Sequence, residues 1–514
     1  MFKLKISWLS LTLLSTLAIS LINFKAFFIA YENFSQDKFL LTVFLFLSYF
    51  CLAYIILAIL FFRYVLKFFL ILFLITSLIS FYFLHFYGVL IDPTMIKNAM
   101  NTDKKEVLDL LGLKAFLFIL LALFLSYLIF KLEIVYPSFK KHIFIRLSSI
   151  GLAFVLFLCF FMPFSKTYVP FFRVHSYLKM YNAPFYQIYA LIRYYQLELR
   201  AKKELEIISN DTFKEDNTSK KILVLVLGET ARAANFSLGG YKKNDTNFYT
   251  KQINDLVYFN SVSSCGTATA ISLPCMFSKS KRKDYQSFEY AENLLDIFEK
   301  TGLKITWISN NSGGCQGVCD RLDKQNVFMR SFDYDEALLD DFNTALKNLD
   351  KQNIIILHLQ GSHGPAYYKR YPDEFKKFKP TCDTNELSKC TSDELINTYD
   401  NTILYTDFIL KELIERLKSQ KDYEVSLLYV SDHGESLGEN GIYLHSMPYF
   451  MAPDTQTKVP MLFYSSNETL LQTAKKSEFL ELSHDNIFST LLGYFSISSA
   501  LYEKEYDFLR KDKP

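Results

Sequence analysis

The chain has 514 residues, half of them hydrophobic and 50 of them Phe, with a formal charge of +3, and it is too long for one compact domain. The small net charge, with no basic stripe interleaved with aromatics, excludes a nucleic-acid-binding surface. The apolar bulk lies before residue 165 and the remainder has the composition of a water-soluble protein, so a membrane part precedes a soluble one.

Five apolar runs come first, at residues 6 to 24, 39 to 62, 68 to 91, 115 to 130 and 147 to 164. Each approaches the roughly 20 residues that cross a bilayer. No small-residue cleavage site follows the first run, so it reads as a retained span rather than a signal peptide. With the N-terminus inside, the short inner segments hold eight Lys and Arg against six outside, a small bias toward this orientation. An odd number of spans then puts the soluble part on the opposite side from the N-terminus. In the outer loop after the third run, Asp92-Pro93 reads as a helix start, and Asn98, Thr102 and Glu106 follow at helical spacing on one face. That polar face suits a lipid headgroup or a solvated connecting helix. Residues 181 to 200 mix Tyr with Arg and Gln, as a helix lying at the membrane interface does, and the polar stretch 209 to 220 reads as a linker. The expected division is a five-helix transmembrane domain at 1–164, an interfacial helix and linker at 165–220, and a soluble domain at 221–514.

In the soluble part six cysteines fall as close pairs: Cys265 with Cys275, Cys315 with Cys319, Cys382 with Cys390. Three local disulfides is the economical reading, against reduced thiols or a zinc knuckle, and disulfides require an oxidising compartment. Four short β-rich apolar runs, Ile222 to Leu227, Leu303 to Ile308, Ile354 to Leu359 and Val425 to Val430, alternate with helical segments. This is the pattern of an α/β fold with a largely parallel sheet, in which ligands gather beyond the carboxyl ends of the strands.

The residues at those ends carry chemistry. Glu229 follows the first run and Asp432-His433 the fourth, a mixed oxygen and nitrogen set that suits zinc with a fourth position left open. Each residue alone also reads as a helix cap or a turn; their joint occurrence at strand ends is what points to a metal. The stretch SSCGTATAISLPCMF, Ser263 to Phe277, sets Thr267, Thr269 and Ser272 between two cysteines and is the candidate nucleophile loop, with Thr267 expected at the fourth metal position, where the ion lowers its hydroxyl pKa. His363 and His445, in loops, suit a second metal or a phosphate; Arg370 suits phosphate oxygens; His358, inside an apolar run, reads as a core histidine.

With CGTATAISLPC, LGETAR, GSHGPAYY and SDHGESLGE, the chain resembles the lipid A phosphoethanolamine transferases, alkaline phosphatase superfamily members that include the mobile colistin resistance enzymes. The resemblance covers nearly the whole chain. It implies a five-helix bundle in the bacterial inner membrane followed by a periplasmic alkaline-phosphatase/sulfatase-like domain, and a monomer is expected. It implies Thr267 as the nucleophile and Glu229, Asp432 and His433 as zinc ligands, with a second zinc at His363 and His445 left open beside the phosphate-binding reading. It places Asn311, His363, Arg370 and His445 in the substrate pocket, with Asn98, Thr102 and Glu106 on a membrane-proximal substrate face. The implied reaction moves phosphoethanolamine from phosphatidylethanolamine to lipid A or another surface glycolipid, conferring polymyxin resistance. Two positions depart from the family: Gln316 stands where related enzymes have Lys, and Ser392 where they have His. The rivals are a phosphoglycerol transferase, a sulfatase and a metal-binding membrane sensor without turnover. A sulfatase needs Cys or Ser followed by x-Pro-x-Arg, and the run from Ser272 ends in Met276.

Overall fold

The computed structural model describes residues 5–34, 37–101, 112–201, 204–214, 219–286, 290–311, 313–331 and 334–510. The chain forms two compact units. The first runs to Arg193, apart from Tyr87–Val89 and the segment from Thr94, which belong with the second; the second continues from Tyr194.

The first unit is helical. It contains α1 (Trp8–Ile22), α2 (Phe24–Asn33), α3 (Lys38–Leu60) and α4 (Leu66–Phe86); after α5 (Pro93–Asn101), which belongs mostly to the second unit, come α6 (Leu113–Lys131) and α7 (Phe139–Phe161). Among the described residues four stretches are long and apolar enough to cross a membrane, and a fifth is reached if α1 and α2, bent by 53°, count as one span. At 15 residues α1 is about 23 Å long at 1.5 Å per residue, short of a bilayer core of about 30 Å, so the first apolar run does not cross alone. The break falls at Asn23. Its buried amide donates to Ile19 O at 2.9 Å and Ala183 O at 2.7 Å and accepts from Ala183 N at 2.8 Å, satisfying a polar group that an apolar bundle would otherwise penalise. The stretch 181 to 200 is largely helical, as α8 (Phe185–Ala201).

The second unit is built on a seven-stranded sheet. Its strands are β1 (Lys221–Gly228), β2 (Leu256–Tyr258), β3 (Lys304–Ser309), β4 (Val327–Met329), β5 (Gln352–His358), β6 (Glu424–Ser431) and β7 (Met461–Ser465), in the order β2-β7-β6-β1-β5-β3-β4. From β6 through β4 every pairing is parallel, and β7 and β2 add an antiparallel edge. The four apolar runs of the sequence are the four central strands. Ile222 to Gly228 is buried throughout, as a parallel strand covered on both faces must be. The three further strands are shorter; β2 and β4 form the two edges of the sheet and β7 lies between β2 and β6. Helices flank the sheet; the longest, α10 (Ser392–Lys418), starts in a capping box in which Thr391 Oγ1 accepts from Glu394 N at 3.3 Å and Thr391 N donates to Glu394 Oε2 at 2.8 Å.

Register decides where the chemistry lies. Ser431 pairs with Gly228, Leu227 with His358, and His358 with Ser309, so the carboxyl ends of four parallel strands fall in one row. Asp432, Glu229, Leu359 and Asn310 therefore leave the sheet side by side. All three expected disulfides are formed, Cys265–Cys275, Cys315–Cys319 and Cys382–Cys390.

Candidate active site

Glu229, Asp432 and His433 meet at this row, each at most 1% exposed, with their ligating atoms all within 4.8 Å of one another. His433 Nε2 lies 3.3 Å from Glu229 Oε1 and 3.4 Å from Asp432 Oδ2. His433 Nδ1 is 2.9 Å from Gly434 O; a carbonyl only accepts, so Nδ1 carries a proton and Nε2 is the nitrogen turned toward the carboxylates. Asp432 Oδ1 accepts from Thr230 N and His433 N, whereas Oδ2, fully buried, accepts no hydrogen bond. Burial and the adjacent Glu229 carboxylate push the Asp432 pKa up to about 7. Burial disfavours charge on His433, but Asp432 and Glu229 outweigh it and raise that imidazole to about 10. Two buried carboxylates and an unsatisfied oxygen thus demand a cation, and the donor set and spacing fit a divalent metal. A second cluster of ligand-type residues, Cys315, Cys319 and Asp320, offers no thiolate because its cysteines are joined in a disulfide.

The nucleophile loop corrects the expectation for Thr267. Its hydroxyl donates to Met447 O at 2.5 Å, on the loop that carries His445, and makes no bond to the ligand cluster. The side chain at the cluster is Thr269, whose Oγ1 donates to Glu229 Oε2 at 3.0 Å and lies 3.3 Å from His433 Nε2. Ala268 is extended and Thr269 opens the helix α9 (Thr269–Met276), so two residues of chain turn the second hydroxyl, not the first, toward the strand ends. Thr269 opens a helix, where the backbone dipole favours an anion, and that was the available signal.

The other expected residues divide. Asn311 Nδ2 donates to Glu229 Oε2 at 2.8 Å and to Leu359 O at 3.2 Å, so it fixes a ligand as well as lining a cavity of about 690 Å³ with Gln316, Lys324 and Arg330. The His445 ring stands 4.4 Å from that of His433 and 5.9 Å from that of His363, placing both loop histidines beside the cluster. Arg370 Nε donates to His363 O at 2.8 Å. His358 is a core residue whose Nδ1 donates to Gly314 O at 3.1 Å, and burial lowers its pKa to about 4. Asn98 lies half-buried on α5, while Thr102 and Glu106 fall outside the described residues. Ser392 is exposed in the first turn of α10. Sequence reading passed over two further groups. Glu435, fully buried, accepts from Tyr367 OH at 2.9 Å and lies 3.4 Å from His445 Nδ1. His484 accepts from Cys265 N at 3.1 Å and donates from Nε2 to Ser431 O at 2.9 Å, tying the nucleophile loop to β6.

Two family profiles match: one described as Phosphoethanolamine transferase EptA/EptB over residues 49–199 and one described as Sulfatase over residues 221–497. The chain is 39% identical over 461 residues to phosphoethanolamine transferase EptA of Salmonella typhimurium, covering 84% of this chain and 82% of that protein. The chain belongs to the EptA/EptB-like lipid A phosphoethanolamine transferase family. Structures agree with this membership. The integral membrane lipooligosaccharide phosphoethanolamine transferase A of Neisseria meningitidis superposes with a TM-score of 0.91 at 34% identity, covering 98% of each chain. The C-terminal periplasmic domain of phosphoethanolamine transferase EptC from Campylobacter jejuni is 62% identical, with a TM-score of 0.58, over 60% of this chain and 98% of that one. This EptA/EptB-like chain is a multi-pass inner-membrane protein with an alkaline-phosphatase/sulfatase-like domain in the periplasm. Homology of this extent supports phosphoethanolamine-transferase activity and a metal-dependent phosphotransferase centre.

Proposed function

We propose that this enzyme moves phosphoethanolamine from phosphatidylethanolamine to lipid A or another surface glycolipid through a covalent intermediate on Thr269, and that this confers polymyxin resistance. The observation that carries the reading is the Thr269 hydroxyl, 3.0 Å from Glu229 Oε2 and 3.3 Å from His433 Nε2 at the buried ligand cluster. Glu229, Asp432 and His433 would hold zinc, and His363 with His445 a second ion. When bound, zinc supplies Lewis-acid charge that lowers the Thr269 hydroxyl pKa and offsets the charge on the phosphoryl oxygens.

The residues of the chain do the rest. Glu229 Oε2, itself fixed by Asn311, accepts the Thr269 hydrogen bond and so orients the attacking oxygen. In the first step the Thr269 oxygen forms a bond to phosphorus, the bond from phosphorus to the glycerol oxygen breaks, and diacylglycerol departs with a proton. In the second, an acceptor oxygen displaces Thr269 from phosphorus and the threonine regains its proton. His363 and His445 face the transferred phosphate, and Arg370 holds the His363 backbone.

Incubation of the purified full chain with phosphatidylethanolamine, followed by mass analysis of the peptide containing residues 267 to 269, tests the assignment. Thr269→Ala is expected to bind metal but release no diacylglycerol and carry no adduct, while Thr267→Ala still carries it. An adduct on Thr267, or wild-type release by Thr269→Ala, would show that the attacking group lies elsewhere.

A further inference from the structure

His445 is braced through the backbone on both sides of it. Its Nδ1 makes no hydrogen bond, although Glu435 Oε1, which also accepts none, lies 3.4 Å away. The backbone around it is unusual. Leu444 has φ 62° and Ser446 has φ 73°, so non-glycine residues on both sides of the histidine occupy the left-handed region. L side chains pay free energy to stay there, and such a conformation persists only where surrounding bonds over-determine it.

Those bonds converge on two residues. Gln456 is completely buried. Its Nε2 donates to Leu444 O at 3.0 Å and to Ser436 Oγ at 2.9 Å, and its Oε1 accepts from Met447 N at 3.2 Å, so one amide brackets residues 444 to 447. From the other side Thr267 Oγ1 donates to Met447 O at 2.5 Å, and Thr267 O accepts from Ser446 N at 2.7 Å. Gln456 also reaches the ligand cluster through its main chain, for its carbonyl accepts from Gly434 N at 2.9 Å, directly after His433. The same residue thus fixes His433 through its backbone and His445 through its side chain, and the two rings end 4.4 Å apart.

We propose that Gln456 and the Thr267 hydroxyl are positioning residues that hold His445 against the transferred phosphate, locking its loop to the nucleophile loop on one side and to the His433 turn on the other. The inference rests on the reading above, in which His445 faces that phosphate. Neither residue touches the reacting atoms. Gln456 is a neutral amide that can donate to one carbonyl and accept from one N–H at once, which neither Glu nor Leu can do.

The test uses the full chain in detergent and the variants Gln456→Leu, Thr267→Val, Thr267→Ser and His445→Ala, with combinations of the first two with His445→Ala. Gln456→Leu and Thr267→Val are each expected to lower kcat/KM for phosphatidylethanolamine by roughly 10- to 100-fold, the scale of a small misplacement of a catalytic group. In the His445→Ala background they should change it by no more than about twofold, because both act through the same residue. Thr267→Ser keeps the donor and should retain activity. Hydrogen exchange at the Ser446 and Met447 amides should quicken in Gln456→Leu and Thr267→Val and stay slow in Thr267→Ser. Losses that multiply in the His445→Ala background, exchange that does not change, a Thr267→Ser variant as impaired as Thr267→Val, or a fully active His445→Ala variant would each overturn the proposal. If Gln456→Leu does not fold, Thr267→Val, which exchanges one hydroxyl for a methyl, decides the matter by the same readouts. Absence of transfer by the wild-type chain would overturn the functional reading instead, and the exchange rates would still decide whether Gln456 and Thr267 hold the loop.

Discussion

At Gly434 there is no room for a side chain. A Cβ there would lie 2.1 Å from Thr455 O and 3.0 Å from Thr455 C, and that backbone is pinned because Glu435 N donates to the same carbonyl at 2.7 Å. Gly434 stands between His433, a candidate metal ligand, and Glu435, so relief on this side of the clash has to move one of them. Gly434→Ala is expected to lose bound metal and transfer together, with a stability cost of about 1 to 3 kcal/mol typical of overpacking. Metal analysis and thermal unfolding of the purified variant check this; wild-type metal content would show that the Thr455 segment yields instead. Thr267 and Thr269 make a related point. They are chemically identical and two residues apart, yet one holds a loop and the other meets the ligands.

At the level of elements, the helix α9 that begins at Thr269 is short and carries Pro274 inside it, so its own hydrogen bonding does little to fix it. Three outside ties do. Cys265–Cys275 joins the loop before the helix to its last turn, His484 links Cys265 to β6, and Ser272 Oγ donates to Asp432 O. Closing a loop of this separation, 10 residues, contributes about 3 kcal/mol in the chain-entropy model. Replacing both cysteines with Ser is therefore expected to lower the unfolding midpoint and to slow formation of the Thr269 adduct, measured by thermal scanning and by the time course of the modified peptide. A lower midpoint with an unchanged time course would confine the staple to stability.

For the whole molecule, the architecture joins an apolar helical unit to a periplasmic unit that carries the chemistry. That arrangement suits a donor drawn from a membrane, and it accounts for the six paired cysteines, which need an oxidising compartment. Cells carrying the protein are expected to show surface glycolipid heavier by one phosphoethanolamine than cells without it, and cells carrying Thr269→Ala should show none. Glycolipids of equal mass in the first pair would exclude lipid A and related surface glycolipids as acceptors. The cavity of about 690 Å³ beside Asn311, lined by Gln316, Lys324 and Arg330, is where an acceptor dependence on this chain's own residues is to be sought.

The sequence by itself determined the two-part architecture, the four central strands, the three disulfides and the candidate ligand trio. Each is written in local signals: long apolar runs, β-rich runs ending in Glu229 or Asp432-His433, and cysteines too close in sequence to pair elsewhere economically. It also showed that something in Ser263 to Phe277 presents a hydroxyl. Only the tertiary structure shows which one lies at the carboxylates, that of Thr269. The choice depends on where the extended Ala268 gives way to α9 and on how Met447, far along the chain, takes the Thr267 hydroxyl. The break at Asn23, the short strands β2, β4 and β7, and the contacts of Glu435, Gln456 and His484 were hidden for the same reason. Local sequence does not name their partners, and a side chain's hydrogen bonds become specific only once register and packing have brought those partners within about 3 Å.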